Sequence, residues 1–185
     1  MKTLLIGGAR SGKSALAERM AAEQAARDGS EVVMVVTAEA LDAEMATRIA
    51  MHRAQRPTQW RTVEAPLSLA AALKAEARPG RVLVVDCLTL WLTNLMILGV
   101  QDVVEGHPWL PHPRYLEEHE HLLAVLSSLP GDVIFIGNEV GHGIVPMGVL
   151  NRAFVDENGR LHQALAARCE AVRFVMAGCV LPLKG

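Results

Sequence analysis

One stretch constrains the fold more than any other, "GGARSGKS" from Gly7 to Ser14. It matches the phosphate-binding pattern G-x-x-x-x-G-K-[ST]. It follows a short apolar run predicted as a strand (Thr3–Ile6) and opens a predicted helix (Lys13–Arg27), which is the context the motif requires. The glycines let successive backbone N–H groups point at a phosphate, and the helix N-terminus adds partial positive charge. The sequence therefore predicts a nucleotide-binding P-loop.

Two side chains are candidates for a magnesium site, one in the P-loop and one at the end of a later strand. We expect Lys13 to reach the β and γ phosphates of a nucleotide, and the Ser14 hydroxyl to bind Mg²⁺. Such sites also use a carboxylate at the end of a neighbouring strand, and "RVLVVD" ends in Asp86. Asp86 could instead cap the helix that begins at Leu88, and the two roles can coexist. The sequence predicts Mg²⁺ held by Ser14 and Asp86.

Apolar runs alternate with alanine-rich helical stretches along the whole chain, which is typical of an α/β fold with a mostly parallel sheet flanked by helices. The tail "MAGCVLPLKG" is predicted to add an edge hairpin, since Pro182 suits only an edge strand. Further predicted strands are Glu31–Val36, Arg81–Asp86, Asp132–Ile136 and Ala171–Met176; further predicted helices are Leu41–Ala54, Leu67–Ala77, Leu88–Leu98, Tyr115–Ser128 and Met147–Arg168, the last with a break near Gly159.

Length and composition narrow the class of protein. A chain of 185 residues fits one domain, residues 1–185, and a net charge of -2 gives no electrostatic footprint for nucleic acid. Three cysteines without a CxxC pair disfavour disulfides and zinc, and favour a cytoplasmic location. Residues 82–100 are long enough to span a bilayer. Asp86 and Asn94 within them favour a buried strand followed by a buried helix.

The stretch "GNEVGHGIVP", residues 137–146, follows an apolar strand. Ligands of open parallel sheets bind at the carboxyl ends of strands, where Asn138 and Glu139 are expected to lie. Nearby glycines would allow a ligand to approach the backbone, and the alternative is a turn that only connects secondary structure elements. No N-K-x-D occurs, which disfavours a GTPase switch.

Four histidines lie in and after a proline-rich surface excursion around residues 99–114, and no fixed ligand spacing supports a metal site there. We expect them to be solvated. Another histidine, His52, lies in "RIAMHRAQRP". It shares a predicted helix face with Glu44 and Arg48, and on its residues alone the ordinary interpretation is a solvated side chain.

Taken together, these motifs resemble one known family. They are "GGARSGKS", "RIAMHRAQRPTQWRTVEAP", "DCLTLWLTNL", "NEVGHGIVP…LNRAFVDENGRLHQALA" and the "LKG" ending. The family is the bifunctional adenosylcobinamide kinase/adenosylcobinamide-phosphate guanylyltransferase of cobalamin biosynthesis. The resemblance covers nearly the whole chain in order, except the proline-rich excursion.

The resemblance implies a RecA-like P-loop NTPase domain assembled as a homotrimer. It implies phosphorylation of adenosylcobinamide by ATP or GTP, followed by transfer of GMP from GTP to give adenosylcobinamide-GDP. Its guanylylated histidine corresponds to His52. Its nucleotide contacts correspond to Gly7, Gly8, Ala9, Arg10, Ser11, Gly12, Lys13, Ser14, Thr37, Ala38, Glu39, His52, Arg53, Ala54, Gln55, Glu64 and Asp86.

Three positions depart from the family pattern. Met51 stands where many members have a second histidine, which leaves His52 without a competing neighbour. His162 and Gln163 replace a usual Asn-Gln pair, and Asp86 stands where some members have Glu. Two alternatives remain at this stage: a simple P-loop kinase of a small alcohol, and a nucleotide-binding regulatory protein.

Overall fold

A computed structural model describes residues 1–39, 47 and 57–185 of the chain. Seven strands form one sheet in the order β3-β2-β4-β5-β1-β6-β7, parallel throughout except for the antiparallel last pair. The strands are β1 (Lys2–Gly7), β2 (Glu31–Val36), β3 (Arg61–Glu64), β4 (Arg81–Asp86), β5 (Asp132–Asn138), β6 (Ala171–Met176) and β7 (Cys179–Lys184).

Helices connect the parallel strands. Within the described residues they are α1 (Lys13–Asp28), α2 (Leu69–Glu76), α3 (Leu88–Met96), which continues into a 3₁₀ segment (Ile97–Asp102), α4 (Pro113–Val125) and α5 (Val149–Arg168). At the start of α4 the His112 side chain accepts a hydrogen bond from the Arg114 backbone N–H, and Pro113 occupies the first turn, where proline costs no hydrogen bond. The predicted helix Leu41–Ala54 falls almost entirely outside the described residues.

The central strands are buried on both faces. In β4 every residue from Arg81 to Val85 is buried, and α1 covers one face of the sheet while α2, α3, α4 and α5 cover the other. This pattern confirms the α/β prediction, and it confirms that residues 82–100 form a strand followed by a helix. None of the helices in the described part of the chain has the length and apolar character needed to cross a membrane.

The prediction was wrong in two elements. β3 was not predicted, because it lies at the sheet edge and has only four residues. Its two charged residues are exposed at its ends and its two central residues are half-buried, so it shows no strand alternation. The predicted break at Gly159 is absent, since α5 runs without interruption through it. A single glycine weakens a helix by about 1 kcal/mol, which packing of Leu161 and Leu165 against the sheet offsets.

The proline-rich excursion is not wholly on the surface. Trp109 packs against the core and makes an edge-to-face contact with Tyr115, whose ring stacks on half-buried His119. His119 is therefore not solvated as predicted. Aromatic packing against the first turns of α4 therefore anchors the excursion.

The C-terminal edge hairpin is confirmed. Strands β6 and β7 pair antiparallel around a turn in which Ala177 and Gly178 have φ angles of 51° and 77°. Positive φ at both central residues defines a tight turn whose twist matches that of the strands it joins. β7 is exposed along its whole length, and Pro182 lies within it, as expected of an edge strand.

Candidate functional site

The P-loop connects β1 to α1 at the carboxyl edge of the sheet. A Cβ on Gly7 would lie 2.1 Å from the carbonyl oxygen of Val175, so this position accepts no side chain. Arg10 and Gly12 have φ angles of 55° and 101°. A non-glycine residue in the left-handed region carries local strain, which is common where a loop is shaped to hold a ligand.

Lys13 folds back over this loop. Its Nζ donates to the carbonyl oxygen of Gly8 at 2.7 Å and to Oγ of Ser11 at 3.3 Å, and the residue is only 5% exposed. Burial lowers the pKa of Lys13 from its ordinary value, while Cys87 and Asp86 nearby oppose the shift. The ammonium group of Lys13 thus donates its hydrogen bonds to oxygens of the loop. A phosphate oxygen could replace these oxygens as the acceptor.

The C-terminal hairpin braces the P-loop. The backbone N–H of Gly178 donates to the carbonyl oxygen of Ser11 at 2.9 Å. The Cα of Gly178 would lie 3.5 Å from a Cβ on Gly12. The sequence predicted the hairpin but gave no sign of this contact, because its two ends are separated by most of the chain.

Thr37 joins the ends of β2 and β4. Its hydroxyl donates to the carbonyl oxygen of Cys87 at 2.6 Å and accepts the Cys87 backbone N–H at 2.9 Å, and its own N–H donates to the carbonyl oxygen of Asp86. Thr37 is fully buried. Its hydroxyl therefore positions the residues beside Asp86, and a nucleotide contact through the hydroxyl would require these hydrogen bonds to open.

Asn94 of α3 links two of the predicted ligand-binding segments. Its buried amide Nδ2 donates to the carbonyl oxygens of Thr37 at 2.8 Å and Pro66 at 3.0 Å. It thereby fixes the residues that follow β2 relative to those that follow β3, which ends at Glu64. Asn94 was not predicted to contribute to the site, although an asparagine in an apolar helix is itself a signal of a buried polar partner.

The remaining predicted site residues lie at the same edge of the sheet or outside the described residues. Two of these residues end parallel strands: Asp86 is half-buried and Glu64 is exposed. Two more follow β2 closely and are half-buried, Ala38 and Glu39. Their strands adjoin one another, so the structure brings these residues together at one edge. His52, Arg53, Ala54 and Gln55 lie outside the described residues.

Ser14 and Asp86 have the donor chemistry that Mg²⁺ prefers. A hydroxyl in the first turn of α1 and a carboxylate at the end of β4 are both hard oxygen ligands. In the part of the chain that the structure describes, no cluster of three or more His, Cys, Asp or Glu side chains could hold a metal. Two protein oxygens leave the other positions to phosphate oxygens and water, as is usual for Mg²⁺.

The end of β5 is held by buried polar side chains from two helices. The N–H of Asn138 donates to Oγ1 of Thr89 at 2.7 Å, and its carbonyl oxygen accepts from Nδ2 of Asn158 at 3.0 Å. The next N–H, that of Glu139, donates to the carbonyl oxygen of Gly7 at 2.9 Å. Neither Thr89 nor Asn158 was predicted to contribute to the site.

One of the glycines near β5, Gly137, has a different role from the one predicted. A Cβ on Gly137 would lie 2.3 Å from Nε2 of buried His162, so this glycine accommodates the histidine. A ligand's close approach was the sequence-based interpretation, and at Gly137 it is wrong. A Cβ on Gly143 would have no described atom within 4 Å, so the outer part of the loop is open.

A mostly parallel sheet with a P-loop after its first strand and a carboxylate at the end of another defines a P-loop nucleotide-binding protein. A solved structure of similar fold is a prototypical ATPase from the type III secretion system of pathogenic bacteria, with a TM-score of 0.54. The match covers 94% of this chain and 50% of the ATPase chain at 12% identity, which supports the fold alone.

The family follows from the sequence comparisons. The model of the cobinamide kinase/cobinamide phosphate guanyltransferase family matches residues 3–183, and the chain belongs to this family. The bifunctional adenosylcobalamin biosynthesis protein CobP of Pseudomonas aeruginosa is 53% identical over 100% of this chain and 98% of its own length. The bifunctional adenosylcobalamin biosynthesis protein CobU of Escherichia coli is 38% identical, with both chains fully covered. The chain is accordingly a transferase with the two activities that the family description names.

Proposed function

We propose that the chain phosphorylates adenosylcobinamide with ATP or GTP, and then transfers GMP from GTP to the new phosphate through a guanylylated His52. The product would be adenosylcobinamide-GDP, a late intermediate of cobalamin biosynthesis. The observation that carries the proposal is the family match over residues 3–183, together with a complete P-loop within it.

In the kinase step, the residues Gly7 to Ser14 would bind the triphosphate of the nucleotide. Backbone N–H groups at the start of α1 and the Lys13 ammonium supply positive charge where the leaving phosphate develops negative charge. Ser14 and Asp86 would hold Mg²⁺, which when bound neutralises phosphate charge. The substrate hydroxyl oxygen forms a bond to the γ-phosphorus, and the bond from that phosphorus to the β-phosphate oxygen breaks.

In the second step, a neutral imidazole of His52 would attack the α-phosphorus of GTP and release pyrophosphate. Histidine has an ordinary pKa of about 6.5, so its free lone pair is available near neutral pH. A phosphate oxygen of adenosylcobinamide phosphate then attacks the same phosphorus, and the bond to the imidazole nitrogen breaks. Arg53, Ala54 and Gln55 would contact the nucleotide beside His52.

The other proposed nucleotide contacts lie at the carboxyl ends of β2, β3 and β4. Ala38, Glu39 and Glu64 follow or end strands that adjoin the strand of Asp86. The hydrogen bonds of Thr37 indicate a positioning contribution for that residue. We assign these residues to nucleotide binding on the basis of family correspondence and this shared location.

The corrinoid would lie against the loop that leaves β5. This loop exposes three large apolar side chains close together in the sequence, Ile144 (98% exposed), Val145 (73%) and Met147 (86%). Exposed apolar side chains that cluster in this way often mark a binding surface, whereas single ones do not. A cavity of about 170 Å³ lies between this loop and α5. It is too small for a macrocycle but large enough for an amide side chain. Because the loop starts at Glu139, which contacts Gly7, the acceptor and the triphosphate would be adjacent.

Two further features are part of the proposal, a homotrimeric assembly and a cytoplasmic location. Both are inherited from the family resemblance. Light scattering of the purified chain would measure the assembly directly, with a mass near three times 20.0 kDa expected.

The function is tested by supplying the substrates separately. With adenosylcobinamide and MgATP the chain should form adenosylcobinamide phosphate, and addition of GTP should give adenosylcobinamide-GDP and pyrophosphate, both identified by mass spectrometry. Phosphorylation without guanylyl transfer would identify a simple kinase and contradict the proposal. Nucleotide binding without either product would identify a binding protein.

A further inference from the structure

Glu139 occupies a particular place in the sheet. β5 lies between β1, which leads into the P-loop, and β4, which ends at Asp86. Gly7 pairs with Asn138, and Asp86 pairs with Ile136, so the residue after β5 leaves the sheet between the phosphate loop and the proposed metal ligand. Glu139 is the acidic residue at this position, and nothing in the two reaction steps uses it.

The backbone at Glu139 is fixed by three hydrogen bonds. The two that hold Asn138 come from the side chains of Thr89 and Asn158, which are 8% and 1% exposed. Burying polar side chains costs free energy unless they are hydrogen-bonded, so these two contacts are stable features of the fold. The third bond, from the Glu139 N–H to Gly7, ties the residue to the P-loop itself. This arrangement preorganises the position of a functional side chain.

The carboxylate of Glu139 is half-buried and only partly engaged. Oε1 accepts the backbone N–H of Gly141 at 2.6 Å, and the described residues provide no hydrogen-bond donor to Oε2. Neither nitrogen of the buried His162 has a partner within the described part of the chain. Burial lowers the pKa of His162, although the charge of Glu139 opposes the shift. Glu139 therefore keeps one carboxylate oxygen available as a proton acceptor.

We propose that Glu139 is the general base of the kinase step. Its carboxylate accepts the proton of the substrate hydroxyl while that oxygen bonds to the γ-phosphorus and the bond to the β-phosphate oxygen breaks, so that the proton ends on Glu139 and the nucleoside diphosphate leaves. The assignment rests on the proposed function. The guanylyl transfer step needs no such base, because its acceptor is a phosphate monoester that is largely deprotonated at neutral pH.

This difference between the two steps makes the assignment testable in one protein. In the full-length chain with Glu139→Gln, phosphorylation of adenosylcobinamide by MgATP should lose about 10²- to 10⁴-fold in kcat, the usual range for a general base. The KM for ATP should stay within about threefold. Transfer of GMP from GTP to supplied adenosylcobinamide phosphate should remain within about threefold of wild type, and it serves as the control for folding.

Two further measurements separate a base from a structural residue. The pH profile of the kinase kcat should differ between the wild type and Glu139→Gln, because the variant has no proton acceptor at this position. Glu139→Asp, which keeps a proton acceptor, should recover part of the rate. Glu120→Gln, on the exposed side of α4, is the matched control and should have wild-type activity in both steps.

Equal losses in both activities of Glu139→Gln would overturn the assignment, and so would an unchanged kinase rate. A wild-type chain that transfers GMP but has no kinase activity would overturn the proposed function itself, and the assignment with it.

Discussion

The Thr37 hydroxyl donates to the carbonyl oxygen of Cys87 at 2.6 Å and accepts the N–H of the same residue at 2.9 Å. One side chain thus satisfies both backbone groups of the residue that follows Asp86. Because these groups are within a buried region, no water is expected to substitute for the hydroxyl. The position of the proposed metal ligand therefore depends on the residue that follows the neighbouring strand β2.

Thr37→Val keeps the shape of the side chain and removes both hydrogen bonds. It leaves the Cys87 N–H without its partner, while the Cys87 carbonyl oxygen keeps only the hydrogen bond from the Trp91 N–H. The free energy of unfolding should therefore fall by about 1–3 kcal/mol. Urea denaturation measures this change. Thr37→Ser keeps the hydroxyl and should lose less than half as much; equal losses for the two variants would show that the hydrogen bonds do not stabilise this end of the sheet.

Gly7 and Gly8 form a matched pair for testing the packing of the P-loop. A Cβ on Gly7 would meet the Val175 carbonyl oxygen at 2.1 Å, whereas a Cβ on Gly8 has nothing within 4 Å. Overpacking typically costs about 1–3 kcal/mol or more, so Gly7→Ala should lower the thermal midpoint by several degrees and weaken ATP binding. Gly8→Ala should unfold within about one degree of wild type, because its new methyl group meets no neighbour. Similar midpoints for both variants would contradict this packing.

The apolar loop after β5 is the proposed contact for the corrinoid. Ile144→Asp places a charge on a side chain that is 98% exposed, so the fold should be unaffected. The KM for adenosylcobinamide should rise about tenfold, because loss of one buried apolar contact costs about 1–2 kcal/mol. The KM for ATP should not change. An altered oligomeric state with an unchanged corrinoid KM would instead identify the loop as a contact between copies of the chain.

His162 is expected to make stability depend on pH. Burial lowers its pKa in the folded chain below the ordinary 6.5, and Glu139 only partly opposes this. The unfolded chain therefore binds a proton first as the pH falls through about 6.5, and stability decreases below that pH until the folded-state pKa is reached. His119, whose pKa burial also lowers, acts in the same direction.

For this prediction, urea unfolding of wild type and His162→Asn is compared at about pH 7.5 and pH 5.5, on either side of the ordinary histidine pKa. The loss of stability between the two pH values should be smaller in the variant, by up to about 1.4 kcal/mol, the value of one pH unit for one proton. An equal loss of stability in the variant and in the wild type would contradict a lowered pKa of His162 in the folded chain.

The sequence predicted the strands and helices that have a clear hydrophobic pattern or that adjoin a recognisable motif. The P-loop, the central apolar strands and the terminal hairpin all follow from local patterns, and the structure confirms them. β3 was missed because an edge strand of four residues is stabilised by its neighbour β2 and carries almost no pattern of its own. Secondary structure that depends on a neighbouring strand is not visible in the local sequence.

The supporting residues of the site were harder to predict than the motif. Thr89, Asn94 and Asn158 act through hydrogen bonds to backbone atoms that are 20 to 57 residues away, and no spacing rule connects a side chain to such partners. Their only signal is a polar residue on an otherwise apolar helix face, which predicts a buried partner without identifying it. Domain extent, the ligand contacts and the role of His52 stay predictions.

Guanylylation of His52 is the central claim, and it is tested most directly with GTP labelled at the α-phosphate, incubated with Mg²⁺ and without the corrinoid. The wild-type chain should acquire a label that is acid-labile and alkali-stable, as expected of a phosphoramidate, and GTP labelled at the γ-phosphate should give none. His52→Ala should acquire no label, while the control His107→Ala, at an exposed position, should be labelled like wild type. No label on the wild-type chain, or full labelling of His52→Ala, would contradict the account.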